Sequence, residues 1–110
     1  YQDYTIRAQV SEGINLASGA KAAIAEYFMD SGTLPTSNAA AGLEAPITGN
    51  YVTGVAVGTA GRVTVTYGNQ ANTAINTLTL TLTPQTSAGS VAWACSAGTR
   101  AAKNVPAACR

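Results

Sequence analysis

The sequence predicts an α+β fold in which one long amphipathic helix packs on a four-stranded antiparallel sheet. Two observations support this. Hydrophobic residues recur at helical spacing over residues 1–31, and from residue 51 to 95 they alternate with a period of two. A chain of 110 residues fits one domain. We therefore expect a single domain comprising a helix (1–31), a connecting loop (33–50), the sheet (51–95), and a C-terminal loop and tail (95–110).

The helix is predicted from side chains that recur at steps of three, four or seven residues. They are Ile6, Val10, Ile14, Ala17, Ile24 and Phe28. Ser31-Gly32 then supplies a stop signal, and Pro35 prevents the helix from resuming. Because the chain opens inside this pattern, we expect that an upstream piece, where an export signal or anchor would lie, has been removed.

The opposite face of this helix carries mostly short side chains where long Lys and Glu side chains would be usual. Its members are Tyr1, Tyr4, Ala8, Ser11, Asn15, Ala22 and Ala25. A face of small residues lets another helix approach closely, so it is a candidate surface for packing between subunits. An ordinary solvated face of low charge would show the same spacing, and the spacing alone does not decide between the two interpretations.

Residues 33–50 show neither period and are rich in Thr, Ser, Asn, Ala, Gly and Pro, which predicts a surface connection. A connection of this length is usually functional or disordered, so it is a candidate for an interaction or a modification. After it, the first predicted strand has Tyr51, Thr53, Val55 and Val57 on one face. A bulge at Gly54 would admit Val52 to this pattern.

Three further strands are predicted from alternating residues. The second runs from Val63 to Tyr67, after a turn at residues 58–61. The third has leucines alternating with threonines over residues 77–83, and Pro84 is predicted to end it. The fourth is short, follows a turn at residues 87–90, and comprises Val91, Trp93 and Cys95. Short links between successive strands favour an antiparallel meander.

The two cysteines, Cys95 and Cys109, lie near the C-terminus of a chain without histidine. Such a pair, closing a short loop in a chain with few charges, indicates a disulfide formed outside the reducing cytosol. The alternative is a pair of free thiols. Intact mass separates the two, because the disulfide form is two hydrogen atoms lighter than the reduced form. Zinc would need more ligands than these, and no cofactor is predicted.

Composition and charge argue against two classes of function. Only 10% of residues are charged, and the six basic ones do not form the stripe that nucleic-acid binding requires. General acid-base catalysis most often uses histidine, which is absent, and four of the five carboxylates lie on the predicted helix. The sequence therefore predicts a protein that is not an enzyme.

The opening segment, with the sequence YQDYTIRAQVSE, resembles the segment that follows the hydrophobic N-terminal half-helix in type IVa pilins of Gram-negative bacteria. The predicted layout is similar to that of type IV pilins, and Cys95 and Cys109 match the pair that bounds the C-terminal loop of that family. The family's strongly apolar first helix half, its N-terminal methylated residue and its early glutamate are absent here, so these features are not carried over.

The resemblance implies a structural subunit of a type IV pilus, or fimbrium, that assembles with copies of itself by helix packing into an extracellular filament. It implies roles in adhesion, twitching motility, biofilm formation and sometimes DNA uptake, and nucleic acid is a partner only in that last case. Before assembly, such a subunit is anchored in the inner membrane through an N-terminal segment. A receptor or glycan on a host surface is a further implied partner.

Other functions remain open. A minor pilin or a secreted receptor-binding module would use the disulfide-bounded loop, for which plain structural closure is the simpler interpretation. A pseudopilin of a secretion apparatus commonly carries a calcium-binding loop with clustered acids, and this chain has no acidic residue after Glu44. The candidate receptor-binding residues in the loop are Thr99, Arg100, Lys103 and Asn104.

Overall fold

A computed structural model of the chain describes residues 2–97 and 104–109, and the predicted α+β architecture is confirmed in it. The helix and strands are α1 (Gln2–Ser31), β1 (Val52–Val57), β2 (Val63–Tyr67), β3 (Thr79–Ser87) and β4 (Ser90–Ala97). The helix lies on the antiparallel sheet, whose strand order is β1-β2-β3-β4. Short 3-10 turns follow β1 and precede the C-terminus, at Thr59–Gly61 and Ala107–Cys109.

The core lies between the predicted hydrophobic face of α1 and one face of the sheet. Ile6, Val10, Ala17 and Ile24 are buried, and Ile14 packs partly buried against the same cluster. Phe28, at the end of the helix, is only half-buried. From the sheet, the core receives the alternating residues Val63, Val65, Tyr67, Leu80 and Leu82. The helical period therefore identified the buried face of α1.

The bulge in β1 is where the sequence suggested it, but it reverses part of the predicted strand face. Cα pairing with β2 shifts register between Val52 and Gly54, which leaves Thr53 as the extra residue. Val52 is consequently buried, whereas Thr53 is exposed and Tyr51 is half-buried. The prediction that Tyr51 and Thr53 share a face with the buried valines was wrong, because one inserted residue inverts a period of two.

Pro84 does not end β3, contrary to the prediction. The strand begins at Thr79, after Thr77 with φ +68°, and continues through Pro84 to Ser87. Ser87 and Ser90 flank a two-residue loop and therefore form a hydrogen-bonded pair. Bonded and non-bonded pairs alternate from there, so Pro84 falls in a non-bonded pair and its backbone points away from β4. Cα pairing with β2 ends at Leu82, so Pro84 lies beyond the last β2 partner and no ladder requires its missing N–H.

The β3–β4 hairpin is longer than the short fourth strand that was predicted. β4 has eight residues and pairs with β3 along its whole length, from Ser87↔Ser90 to Leu80↔Ala97. The turn falls at the predicted place, where Gly89 adopts φ +78°. Trp93 and Cys95 face the core side of the sheet and are partly buried against the core.

The connection from α1 to β1 lies along the outer edge of β1. The Val55 amide donates to the carbonyl oxygen of Ile47 at 3.1 Å, and the side chain of Asn38 bonds to the same strand. Pro35 and Asn38 are buried, so only part of this predicted surface connection faces solvent. The contact covers backbone groups that an open edge strand would expose.

Candidate functional site

The predicted packing face lies on the side of α1 that points away from the sheet. Within residues 2–31, its members Tyr4, Ala8, Ser11, Asn15 and Ala22 are all exposed, and Tyr4 is 80% exposed. Tyr1 lies outside the described residues. The face is thus available to a partner of the folded chain.

The structure extends this face along nearly the whole helix. The additional positions are Ser18 and Met29, of which Met29 is 52% exposed, whereas Ala25, which was already on the predicted face, is half-buried. Steps of four and three residues alternate throughout, which is the seven-residue spacing of a helix seam. None of the eight side chains is charged. We name this surface the helix stripe: Tyr4, Ala8, Ser11, Asn15, Ser18, Ala22, Ala25 and Met29.

The serine hydroxyls of the helix stripe are already bonded within the helix. Ser11 Oγ donates to the carbonyl oxygen of Arg7, and Ser18 Oγ donates to that of Ile14, each at 3.0 Å. A hydroxyl whose hydrogen is already used costs less to remove from water than an unbonded one. These two serines can therefore be buried against a partner at a smaller cost than unbonded hydroxyls.

Three hydrogen bonds between α1 and the sheet region fix which face of the helix points outward. The Glu12 carboxylate accepts the Tyr51 backbone N–H, and Gln9 Oε1 accepts that of Asn72, both at 2.8 Å. The Tyr67 hydroxyl donates to the carbonyl oxygen of Val10 at 2.6 Å. These bonds lie away from the helix stripe, so they keep the stripe turned away from the sheet.

The Tyr67 hydroxyl remains a donor over the whole neutral range. Burial, with a smaller contribution from the nearby Glu12 carboxylate, raises the pKa of Tyr67 well above its usual value. The folded-state pKa of Tyr67 exceeds that of the unfolded chain, so the protein is stabilised by the protonated form of this hydroxyl. That stabilisation is complete below about pH 10 and is lost as the pH rises further.

Cys95 and Cys109 form the predicted disulfide, with their Cα atoms 4.6 Å apart. Of the loop residues proposed for receptor contact, Thr99, Arg100 and Lys103 lie outside the described residues. Asn104 is only 3% exposed, so its side chain is not presented at the surface of the folded chain as a receptor contact requires.

The described residues offer neither a metal site nor a membrane-spanning helix. In residues 2–97 and 104–109, no cluster of three or more His, Cys, Asp or Glu side chains could hold a metal ion. In the same part of the chain, no helix combines the length and the apolar character needed to span a bilayer.

The structure thus combines a long helix with an uncharged exposed stripe, a meander sheet on which the helix packs, and a disulfide near the C-terminus. The pilin family model, described as bacterial filament, matches residues 6–110. The fimbrial protein EcpC of Eikenella corrodens is 41% identical over 114 aligned positions, which cover all of this chain and 74% of that protein. The chain therefore belongs to the pilin family, and within it to the type IV pilins.

Other relatives agree with this assignment. The type IV major pilin protein PilE1 of Neisseria gonorrhoeae is 44% identical over 99 positions, which cover 86% of this chain and 59% of that protein. A fimbrial protein of Neisseria meningitidis is 44% identical over 98 positions, which cover 86% of this chain and 57% of that protein. The chain thus spans less than two thirds of these Neisseria proteins. The family consists of structural subunits that assemble with one another into filaments on the bacterial surface.

Proposed function

We propose that the helix stripe is the surface by which this subunit packs against other subunits in the filament, and that its role is structural and not catalytic. One observation carries the proposal. The eight side chains of the helix stripe are uncharged from Tyr4 to Met29, with the exposed charges of Arg7 and Glu26 beside it, and at 1.5 Å per residue the stripe is about 38 Å long. Small side chains along this length would let another subunit's helix approach closely over several turns.

The rest of the surface supports a subunit with one packing side and one solvent side. The exposed face of the central strands is rich in threonine, and the outer face of β4 carries Ser90, Ala92, Ala94 and Ser96. Neither of these two sheet surfaces carries enough large apolar side chains to form an extensive buried interface. With the helix stripe turned toward the filament axis, the sheet would face outward.

The substitution Ala22→Glu is expected to abolish or strongly reduce pilus assembly while leaving the fold intact. Ala22 is exposed in the middle of the helix stripe, so a carboxylate there costs little in the free subunit but would be buried unpaired in a helix interface. The measurement is a count of pili by electron microscopy after the variant allele replaces the wild type in the source bacterium. Thermal unfolding of the purified chain checks the fold.

The matched control for Ala22→Glu is Ala92→Glu, which makes the same change on the exposed face of β4. We expect wild-type numbers of pili from this variant. Normal assembly by Ala22→Glu, or equal loss of assembly by both variants, would rule out the helix stripe as the packing surface.

We further propose that the filament serves in adhesion and twitching motility and that the disulfide-bounded loop contacts a receptor on the host surface. The family resemblance supports this, and it equally supports an inner-membrane anchor before assembly and a role in DNA uptake only in competent cells. Within the loop, Thr99, Arg100 and Lys103 remain the proposed contacts. Asn104 is withdrawn from this set because it is buried.

The double substitution Arg100→Ala and Lys103→Ala is expected to reduce attachment of piliated cells to host cells at least severalfold without changing pilus number. Removing two cations from a contact surface weakens binding to a polar or anionic receptor, whereas the disulfide continues to close the loop. Attachment is measured by counting adherent bacteria, with Arg62→Ala as the control at an exposed position elsewhere. Unchanged attachment by the double variant would eliminate the loop as the receptor contact.

A further inference from the structure

An apolar cleft of about 380 Å³ opens on one flank of α1, between the helix, β4 and the C-terminal segment. Lys21 is the one charged residue among its described lining residues, and we name it the Lys21 cleft. The Lys21 ammonium lies 6.0 Å from the centroid of the Trp93 ring, and both side chains are half-buried. The disulfide and the exposed Pro106 also line the cleft. Apolar walls with a single cation suit a partner that brings an apolar side chain and a carboxylate.

Two carboxylates in the C-terminal part of α1 are unfavourably placed within the subunit. Glu26 and Asp30 are both exposed and lie one turn apart. Like charges at this spacing repel, and negative charge near a helix C-terminus opposes the helix dipole. The last turn of α1 has no basic residue, and neither carboxylate forms an ion pair with the part of the chain that the structure describes. A cation supplied by another molecule would offset both costs.

One subunit cannot bring these carboxylates to its own Lys21 cleft. From Lys21, Glu26 lies about 140° around the helix and about 8 Å further along its axis. Asp30 lies on the opposite side of the helix and about 14 Å further along. The helix stripe runs between Lys21 and Glu26, so the two flanks lie on either side of it. Parallel subunits packed side by side through their stripes can therefore bring the acidic flank of one against the Lys21 cleft of the next.

Met29 supplies an apolar side chain beside the carboxylates. It is 52% exposed and follows Glu26 by three residues, so the two side chains are neighbours on the helix surface. Methionine is flexible enough to fill an irregular cleft, and its sulfur packs favourably against aromatic rings such as that of Trp93. The acidic flank thus carries both groups that the Lys21 cleft suits.

We propose that in the filament Met29 of one subunit enters the Lys21 cleft of a second copy, where Glu26 and Asp30 pair with Lys21. This inference rests on the proposed role of the helix stripe, which brings the two flanks together. The two surfaces differ, so the contact does not close on a pair of subunits but continues from each subunit to the next. A shift of about 8 to 14 Å along the helix axis between neighbours satisfies the geometry.

Glu26→Lys is expected to affect stability and assembly in opposite directions. In the isolated chain it removes the like-charge contact with Asp30 and places a cation toward the helix C-terminus, so the melting temperature should equal or exceed that of the wild type. In the source bacterium the same variant should lower the number of pili, counted by electron microscopy, at least threefold. A wild-type number of pili would overturn the proposal.

An exchange of charges tests the pairing itself. Lys21→Glu alone should also lower the number of pili at least threefold, and combining it with Glu26→Lys should restore at least half of the wild-type number. Arg62→Glu makes the same change at an exposed cation outside the cleft and should leave the number unchanged. A double variant that forms no more pili than either single variant would contradict the pairing.

Carbodiimide cross-linking, which joins a lysine directly to a carboxylate, locates the contact. In purified wild-type pili, peptide mass spectrometry should find Lys21 joined to Glu26 or Asp30. The 110-residue chain treated in solution should not give this product, because these groups lie on different sides of one helix. Absence of the product from pili would show that something other than a second copy covers the cleft, and equal yields from pili and the free chain would show a contact within one subunit. Either result overturns the proposal.

These results are distinguishable from those that test the helix stripe. Loss of pili in Ala22→Glu, with no cross-link in wild-type pili and no rescue by the charge exchange, would keep the stripe as a packing surface and remove the Lys21 cleft from the interface. Normal pili in Ala22→Glu would instead remove the stripe, whereas a cross-link from Lys21 to Asp30 would still place the two flanks in contact.

Discussion

Replacing Asn38 by alanine is expected to lower the free energy of unfolding by about 4 kcal/mol. Asn38 Nδ2 donates to the carbonyl oxygens of Glu44 at 2.7 Å and Val55 at 3.1 Å, and Asn38 Oδ1 accepts the Val57 N–H at 2.6 Å. Alanine supplies none of these bonds, so buried backbone groups of β1 and the preceding loop would lose their partners. Each loss costs about 1 to 3 kcal/mol, and partial entry of water reduces the sum.

The measurement is urea unfolding of the purified chain followed by circular dichroism. Asn50→Ala makes the same change at an exposed loop position and is expected to stay within about 0.5 kcal/mol of the wild type. Asn38→Asp keeps the acceptor for Val57 but replaces two donors with a carboxylate facing two carbonyl oxygens, so it should be no more stable than Asn38→Ala. A loss below about 1 kcal/mol for Asn38→Ala would show that the loop is not held on β1 in this way.

Asn38 also shows where sequence reasoning stops. In the sequence it is an ordinary polar residue of a long irregular segment, because its partners on β1 lie 17 and 19 residues further along. No local period carries that information. One signal was present: a connection as long as residues 33–50 needs side chains to bond its backbone when it packs on a sheet edge.

Features set by local periodicity were predictable. The buried face of α1, the second strand and the Gly54 bulge follow from spacing, and the disulfide followed from the number and position of the cysteines. The error at Pro84 has a different cause. Whether proline can lie within a strand depends on where the neighbouring strand ends, and pairing between β2 and β3 is a tertiary property.

The candidate site was predicted only in part for a similar reason. Six of the eight positions of the helix stripe were on the predicted face, and Ser18 and Met29 were missed. Met29 was missed because a large apolar residue in a helix suggests core. Its exposure, like that of Tyr4, follows from the angle at which α1 is fixed on the sheet. That angle depends on contacts such as the one between Gly13 and Tyr67, which are distant in sequence.

Gly13→Ala is expected to destabilise the protein by about 3 kcal/mol, although alanine is the better helix former. Gly13 is buried within α1, and an added Cβ would lie 2.5 Å from Cζ and 2.7 Å from Cε1 of Tyr67. Real Cβ atoms do not come this close, so either the helix or the tyrosine ring must move. Either movement breaks the hydrogen bond from the Tyr67 hydroxyl to Val10 and leaves a buried hydroxyl without its acceptor.

The same helix supplies a control of opposite sign. At the exposed Gly19 an added Cβ meets nothing within 4 Å, so Gly19→Ala should gain helix propensity and stabilise the chain by up to about 1 kcal/mol. Urea unfolding of both variants gives the comparison, and a stabilising Gly13→Ala would contradict the close approach.

In a Tyr67→Leu background the obstructing ring is gone, so Gly13→Ala should cost much less than it does alone. Since helix rotation sets the direction of the helix stripe, Gly13→Ala should also reduce pilus number, whereas Gly19→Ala should not.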